Sequence, residues 1–335
     1  MSDVRTETAS LVDRIRPIAA GGPAVAVHFL DGTPVFVLAE EALAFAPRDG
    51  EVRTVSVHGG AILAAAADDS RIMTGGDDGK VVATAADGAT RVIATDAKRR
   101  WIDRVAAGPD GAVAWSAGKQ AFVRTGKGEE RVCEVPSTVG GLAFAPKGFR
   151  LAIAHYNGAL LWFPNAQAAP EKLEWKGSHL AATFSPDGRF LVTAMQEPTL
   201  HGWRVVDGKH MRMSGYAAKV RSMDWSVGGR WLATSGSDQL ILWPFQAKDG
   251  PMGKSPQLLA PAGQKVTTVA CHPKQEVVAT GYEDGMLLLV RIDDGAEIIA
   301  KRPGAAAVSA IAWNATGSML AFGCDDGEAG AIDLG

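Results

Sequence analysis

Short apolar runs alternate with turn-like polar triplets along the whole chain. A turn triplet, in half of the cases Pro-x-Gly or Ala-x-Gly, recurs eight times at intervals of 37 to 46 residues. The first residues of these triplets are Leu30, Ala67, Pro109, Pro146, Pro186, Val227, Pro273 and Ala315. A recurrence near forty residues is typical of small repeated sheets. The spacing therefore predicts eight structural units, numbered here 1 to 8 in chain order.

A second turn follows eleven residues after the first residue of each triplet. The residues at this position are Glu41, Asp78, Gln120, Asn157, Glu197, Asp238, Asp284 and Asp326. Four of them precede glycine, and Asp-Gly or Asn-Gly between apolar runs indicates a hairpin, because its central residues need positive φ. The fixed offset predicts that Asp78, Asn157, Asp238, Asp284 and Asp326 form turns and are not a carboxylate cluster.

Residues 220–245 show the content of one unit. They contain a strand, a Gly-Gly turn, a second apolar strand, a Gly-Ser-Asp turn and a third strand that ends on Trp243. A fourth strand follows in most units, for example at residues 131–135 and 297–300. A single four-stranded sheet cannot cover both of its faces, so neighbouring units must stack, and radial stacking closes a ring.

These units resemble the blades of WD-repeat β-propellers, and the resemblance covers nearly the whole chain. It implies an all-β, closed propeller of four-stranded antiparallel blades that serves as a platform for other proteins. In that family an Asp, a His, a Ser or Thr and a Trp form a hydrogen-bonded tetrad. Asp238, Thr234 and Trp243 fit this tetrad, whereas Gly215-Tyr216 stands where the family has Gly-His. The Trp-Asp pair that names the family is missing.

The two ends of the chain suggest how the ring closes. Residues 308–334 supply only three strands, which leaves a sheet edge open. Residues 11–19 form an orphan strand-like segment, and Pro17 within it suits an outermost strand. We expect this segment to complete the last blade of an eight-bladed ring, with seven blades as the alternative if residues 24–57 lie outside. The propeller then spans residues 11–335 as one domain, and residues 1–10 form a disordered tail.

Composition narrows the range of partners. The 335 residues carry a formal net charge of −3, which gives no general attraction to nucleic acid. No apolar run approaches the roughly twenty residues of a membrane span. The three cysteines, Cys133, Cys271 and Cys324, fall in different units without metal-ligand spacing, and their odd number argues against a disulfide framework. We expect a cytoplasmic monomer that binds neither nucleic acid nor membrane.

Motifs for catalysis, cofactors or metals are not found. Gly253-Lys254-Ser255 ends like a phosphate-binding loop, but Lys248 occupies the position of its first glycine. His155, His179 and Cys324 fall in loops at one rim and could in principle share a zinc ion. They belong to units 4, 5 and 8, so solvated polar residues are the favoured interpretation. No catalytic, cofactor or metal residue is predicted.

One distribution favours binding. Loops from the fourth strand to the next first strand, and from the second to the third strand, should emerge on one face around the channel mouth. All three tyrosines map there, together with other side chains typical of binding hot spots. The predicted partner-binding residues are Arg99, Arg100, Trp101, Lys119, His155, Tyr156, His179, Gln196, Tyr216, Lys219, Tyr282 and Glu283. The favoured function is a non-catalytic scaffold for a protein or peptide. The alternative is a metal-dependent or small-molecule-binding propeller enzyme with its site at the central channel.

Overall fold

A computed structural model describes residues 10–335, so most of the predicted tail, residues 1–9, lies outside the described residues. Within them the chain forms thirty β-strands and three single-turn 3₁₀ helices (Val12–Arg14, Pro109–Gly111 and Val227–Gly229), without an α-helix. No helix in this part of the chain has the length and apolar content needed to cross a membrane.

The strands are short, as the sequence predicts, with two exceptions. In chain order they are β1 (Ile15–Pro17), β2 (Ala24–Leu30), β3 (Thr33–Leu38), β4 (Ala42–Phe45), β5 (Arg53–Ser56), β6 (Ile62–Ala67), β7 (Arg71–Gly76), β8 (Lys80–Ala85), β9 (Thr90–Thr95), β10 (Arg104–Ala107), β11 (Val113–Ala117), β12 (Gln120–Arg124), β13 (Glu130–Glu134), β14 (Gly141–Phe144), β15 (Leu151–Trp162), β16 (Glu171–Phe184), β17 (Phe190–Met195), β18 (Leu200–Arg204), β19 (His210–Met213), β20 (Met223–Trp225), β21 (Trp231–Thr234), β22 (Leu240–Pro244), β23 (Gln257–Leu259), β24 (Val266–Cys271), β25 (Val277–Tyr282), β26 (Leu287–Arg291), β27 (Glu297–Lys301), β28 (Val308–Trp313), β29 (Met319–Cys324) and β30 (Ala329–Asp333). The exceptions are β15 and β16, each of which contributes to two strand positions.

These strands form seven antiparallel sheets, six with four strands and one with six. The all-β propeller class is confirmed. The count of eight separate sheets is wrong, and the ring has seven, the alternative count. The reason differs from the one expected, because residues 24–56 form an ordinary four-stranded sheet within the ring.

Units 4 and 5 share the six-stranded sheet. The link from the fourth strand of unit 4 to the first strand of unit 5 spans only residues 175–178 and stays extended within β16, which pairs with β15 and with β17. Within β15, Asn157 and Gly158 have φ of 71° and 139°, the positive values that an Asn-Gly turn needs.

Apolar clusters fill the spaces between neighbouring units. One lies between units 4 and 5 and includes Leu161, Leu173, Leu191 and Trp203. The six-stranded sheet therefore folds over, and its two halves pack face to face like the other neighbours. Equivalent clusters join unit 8 to unit 1 and unit 5 to unit 6.

The ring closes through its two ends. The edge strand β1 pairs with β30, with Ile15 opposite Ile332 and Pro17 opposite Gly330. The predicted completion of the last sheet by the N-terminal segment is confirmed. On the inner side, the hydroxyl of Ser309 donates to the carbonyl of Ala24 at 2.6 Å, which ties unit 8 to unit 1.

Candidate functional site

The predicted binding loops meet on one face of the ring, which we call the upper face. It comprises the loops from each fourth strand to the next first strand and the turns from each second to each third strand. Backbone hydrogen bonds join the two kinds of loop, for example from Val139 N to Gly118 O at 3.0 Å and from Val266 N to Ser237 O at 2.8 Å.

Half of the predicted binding residues are exposed on this face. They are Arg99, Trp101, Lys119, Tyr156, Gln196 and Glu283. Trp101 and Tyr156 have exposed fractions of 65% and 58%, which is high for such large side chains. We call these two residues the aromatic pair. Lys219 is half-buried and donates to Gln196 Oε1 at 2.8 Å.

Arg100 is held by its own loop. Its guanidinium lies 2.6 Å from Asp96 Oδ1 and donates to the carbonyl of Ala117 at 3.0 Å. Hydrogen bonds from Arg100, which outweigh the effect of burial, lower the pKa of Asp96. These bonds pair the charge of Arg100 and fix the loop that presents Trp101.

Tyr216 and Tyr282 are buried and do not reach the surface. The Tyr216 hydroxyl accepts a hydrogen bond from Trp243 Nε1 at 2.7 Å and lies 2.9 Å from Thr234 Oγ1. The Thr234 hydroxyl in turn donates to the carbonyl of Ile241 at 3.0 Å. We call this chain of bonds the unit 6 lock, because it ties the loop before unit 6 to that unit's second and third strands.

Tyr282 is likewise fully buried, and its hydroxyl donates to the carbonyl of Ala260 at 2.7 Å. Burial raises the pKa of both Tyr216 and Tyr282. Neither phenol is available to a partner.

The two predicted histidines are also internal. His179 has Nδ1 at 2.7 Å from Thr193 Oγ1 and Nε2 at 3.0 Å from the carbonyl of Trp175. We call this pair of bonds the unit 5 lock, since Thr193 and Thr234 occupy equivalent positions. His155 has Nδ1 at 2.7 Å from the carbonyl of Tyr156 and is buried. Burial lowers the pKa of His155 and of His179.

Sequence reasoning missed a third lock, in unit 2. His58 Nδ1 lies 3.0 Å from Asp78 Oδ1, and His58 Nε2 lies 2.9 Å from Thr74 Oγ1. Burial alone would raise the pKa of Asp78, but hydrogen bonds from Gly59, His58 and Lys80 together lower it. The signal available in the sequence was His58, which precedes Thr74 and Asp78, the residues seven and eleven positions after Ala67.

Three of the other predicted turn residues bond locally. Asp284 and Asp326 accept hydrogen bonds from the backbone two residues on, at 3.0 Å each. Asp238 accepts from the hydroxyl of Ser237 at 3.1 Å and takes no part in the unit 6 lock within residues 10–335. Asn157 instead reaches the link to the next unit, where its Oδ1 accepts from Gly177 N at 3.1 Å.

Two cavities open along the upper face and the channel. The larger, of about 730 Å³, is lined by inner strands of units 6, 7, 8 and 1, and Lys219, Lys265 and Glu283 border it. The smaller, of about 300 Å³, lies between units 3 and 5 and is lined by Asp103, Arg104, Ser137, Tyr156 and Ser178, among others. We call the smaller one the unit 4 groove.

Comparisons with known proteins agree with this architecture. The family profile of the WD domain, G-beta repeat, matches residues 209–243, and that of the anaphase-promoting complex subunit 4 WD40 domain matches residues 269–334. Both profiles describe WD repeats, and together with the propeller ring they support a WD-repeat β-propeller family.

Relatives of this WD-repeat propeller are distant in sequence. A stretch of 120 residues, 35% of the chain, is 24% identical to the Periodic tryptophan protein 2 homolog of Caenorhabditis elegans and spans only 13% of that protein. Among solved structures, the computationally designed Ika8 protein has a TM-score of 0.78 at 17% identity, with 97% of this chain and 99% of that one covered. A chain of the Mitotic Checkpoint Complex has a TM-score of 0.66 at 14% identity, with coverage of 82% and 90%. At these identities the solved structures show the fold alone.

The WD-repeat propeller does not bring the considered metal ligands together. His155 and His179 lie in units 4 and 5, whereas Cys324 lies in unit 8. Within residues 10–335, one group of three potential ligands comes together, formed by Cys324, Asp326 and Glu328. The Lys301 ammonium already lies 3.0 Å from Glu328. Burial raises the pKa of the Cys324 thiol to about 11, so the thiolate that a metal needs is disfavoured.

The three cysteines and the Gly253-Lys254-Ser255 segment belong to the framework of this WD-repeat propeller. All three cysteines are buried and unpaired in disulfides. Gly253-Lys254-Ser255 lies in the loop between β22 and β23, and a strand follows it where a phosphate-binding loop requires a helix.

Proposed function

We propose that this protein is a non-catalytic interaction scaffold that binds a protein or peptide on its upper face. WD-repeat propellers generally act as platforms without chemistry of their own, which supports the class of function. Two of the structurally similar chains are a chain of the Mitotic Checkpoint Complex and the WD40 repeats of RRP9. The cytoplasmic location and the monomeric state stay predictions.

The observation that carries the proposal is the exposure of the aromatic pair. Of the aromatic side chains on the upper face, Tyr216 and Tyr282 are committed to internal hydrogen bonds. Trp101 and Tyr156 instead keep more than half of their surface in contact with solvent. Large apolar area exposed to water is unfavourable, and Trp and Tyr dominate binding hot spots because they combine area with one polar group.

The aromatic pair stands on a rigid base. Arg100 fixes the loop of Trp101 through Asp96, and the backbone nitrogen of Tyr156 donates to the Ser137 hydroxyl at 2.8 Å. Val135 N donates to Lys119 O at 2.8 Å, which connects the intervening loop. A partner would therefore meet side chains that lose little backbone entropy on binding.

Substitution of the aromatic pair tests the proposal. Trp101→Ala/Tyr156→Ala should abolish the capture of partners from the native cell, identified by mass spectrometry, and weaken the purified complex by about thirtyfold or more. Thermal unfolding should change little, because exposed side chains contribute about 0.5 kcal/mol or less.

The matched control is Phe163→Ala/Val206→Ala. Both residues are exposed, with fractions of 44% and 85%, and lie at or after the ends of third strands on the opposite face. This variant should keep wild-type capture. Equal capture by both double variants would refute the choice of face.

A further inference from the structure

Charge is unevenly distributed around the upper face. The turns between the second and third strands of units 7, 8, 1 and 2 carry only acidic side chains among their charged residues. They are Glu283, Asp284, Asp325, Asp326, Glu328, Glu40, Glu41, Asp77 and Asp78. We call these four turns the acidic arc. Three of its carboxylates are paired, Asp78 with Lys80, Glu283 with Lys265 and Glu328 with Lys301, and the other six have no ion-pair partner among residues 10–335. The same turns of units 3 to 6 contain only two carboxylates, Glu197 and Asp238.

Three exposed cations without an ion-pair partner among residues 10–335 lie in the loop of Trp101 and in the turn beside it. Lys98 and Arg99 precede Trp101 in its loop, and Lys119 lies in the adjoining turn of unit 3. All three are exposed, and none has a carboxylate within ion-pair distance among residues 10–335. We call these three residues the basic patch. Arg100, from the same loop, is excluded because Asp96 neutralises it.

The unit 4 groove opens beside Tyr156. Tyr156 lines it together with Asp103, which lies two residues after Trp101. Arg104 in its wall donates from Nε to the carbonyl of Gly140 at 2.6 Å, and the hydroxyl of Ser116 donates to Asp103 Oδ1 at 3.0 Å. With these polar groups already bonded, the groove of about 300 Å³ has room for one or two side chains of a partner.

We infer that the partner segment on this face is an acidic peptide segment that carries an apolar or aromatic anchor. The anchor enters the unit 4 groove beside Tyr156, and carboxylates next to it meet the basic patch beside Trp101. This inference rests on the proposed function and adds the chemistry of the partner to it.

The charges on the upper face determine where an acidic segment binds. At physiological ionic strength a charge is screened over about 8 Å, so the basic patch attracts an acidic segment without interference from the far side of the ring. The acidic arc repels the same segment, and repulsion from wrong positions is a source of specificity. An acidic segment is therefore confined to units 3 and 4.

A random dodecapeptide library displayed on phage is the probe that tests the inference. Selection on the wild-type protein should enrich sequences with two or more Asp or Glu residues near one aromatic or large aliphatic residue. A synthetic peptide of the enriched sequence should bind with an affinity that falls as salt rises from 50 to 200 mM, measured by fluorescence anisotropy.

Charge reversal supplies the decisive variant. Lys98→Glu/Arg99→Glu/Lys119→Glu should weaken the selected peptide by about tenfold or more. The matched control is Lys127→Glu/Lys147→Glu/Lys209→Glu, which reverses three exposed lysines in loops of the opposite face and should leave the affinity within about twofold.

The outcomes separate the inference from the proposed function. Neutral or basic peptides that need Trp101 and Tyr156 but ignore the triple reversal would overturn the inference and leave the scaffold function standing. Peptides that bind the protein without need of the aromatic pair would overturn both. A library from which nothing is enriched would overturn the inference alone, because the proposed function also allows a folded protein partner.

Discussion

Units 5 and 6 solve the same structural problem with different chemistry. Both hold a buried threonine, Thr193 or Thr234, seven residues after the start of the turn triplet, and both bond it to a ring that precedes it in the chain, His179 in strand β16 or Tyr216 in the loop before β20. In unit 6 the ring is the phenol of Tyr216, and its bonds run in one direction, from Trp243 through Tyr216 and Thr234 to a carbonyl. Both units place a polar ring beside the buried threonine, and the type of ring decides whether the lock titrates with pH.

The threonine hydroxyl has the same direction in the two locks. Thr193 donates to the carbonyl of His201 and Thr234 donates to the carbonyl of Ile241, each at 3.0 Å. The locks differ in the ring, because His179 also contacts the carbonyl of Trp175, whereas Tyr216 accepts from the Trp243 indole. An imidazole also titrates near neutral pH, whereas a phenol with a raised pKa does not.

A second buried histidine in unit 5 adds to the difference between units 5 and 6. His201 in unit 5 is fully buried and stacks on Trp175 with ring centroids 4.1 Å apart, and among residues 10–335 neither of its ring nitrogens has a hydrogen-bond partner. Burial lowers the pKa of His201 to about 3, and the nearby charges of His210, His179 and Arg212 act in the same direction. Unit 5 thus contains two buried titratable rings, and unit 6 has a lock that is insensitive to pH.

The largest expected effect comes from removal of the unit 6 ring. Tyr216→Ala should lower the free energy of unfolding by about 3 to 5 kcal/mol, because it leaves a cavity in the cluster between units 5 and 6 and strands the Trp243 indole nitrogen. His179→Ala should cost less, about 2 to 3 kcal/mol, since the imidazole is smaller. Urea denaturation followed by tryptophan fluorescence measures both. A larger loss for His179→Ala would show that unit 5 is the more tightly locked unit.

The second largest expected effect is a loss of folding stability at acidic pH, caused by His201 in unit 5. The folded-state pKa of His201 lies below its unfolded value of about 6.5, so its contribution to stability is complete above that pH and falls as pH drops toward the folded value. Between pH 7 and pH 5 this group alone should remove about 2 kcal/mol from the free energy of unfolding. His201→Leu should flatten the pH dependence by that amount, measured by urea denaturation at each pH. An unchanged pH dependence in His201→Leu would contradict this assignment, whereas Tyr216→Phe should retain the wild-type slope.

The smallest expected effect comes from removal of the Tyr216 hydroxyl alone. Tyr216→Phe should cost about 1 to 2 kcal/mol, because Trp243 Nε1 loses its acceptor in a buried site while the ring stays in place. Tyr156→Phe is the matched control, and its exposed hydroxyl should contribute less than about 0.5 kcal/mol. Thermal unfolding of the two variants side by side measures the difference, and equal losses would mean that the unit 6 lock adds no stability.

Much of the fold follows from the sequence because turns obey local rules. Asn157 and Gly158 adopt the positive φ that their turn needs, and the strands lie where the apolar runs predict them. The orphan segment around Pro17 takes the open edge of the last sheet because unpaired backbone groups favour a partner there. The merged sheet of units 4 and 5 was not predictable, since it depends on whether four linking residues stay hydrogen-bonded in three dimensions.

The candidate site was less accessible to sequence reasoning. Two interpretations of Tyr216 conflicted, because its loop placed it on the binding face and the family resemblance placed it in the tetrad. Its burial and its bonds to Thr234 and Trp243 support the second. Loop position indicates the face on which a residue lies but gives no information on side-chain direction, so Trp101 and Tyr156 could not be separated from Tyr216 and Tyr282.

The pairing of β1 with β30 has a practical consequence for anything attached to the protein. Ile15 and Ile332 sit on adjacent strands at the outer edge of one sheet, about 5 Å apart as in any antiparallel pair. Tethers attached next to these two strands would start from neighbouring points on the circumference, away from the channel mouth and the unit 4 groove.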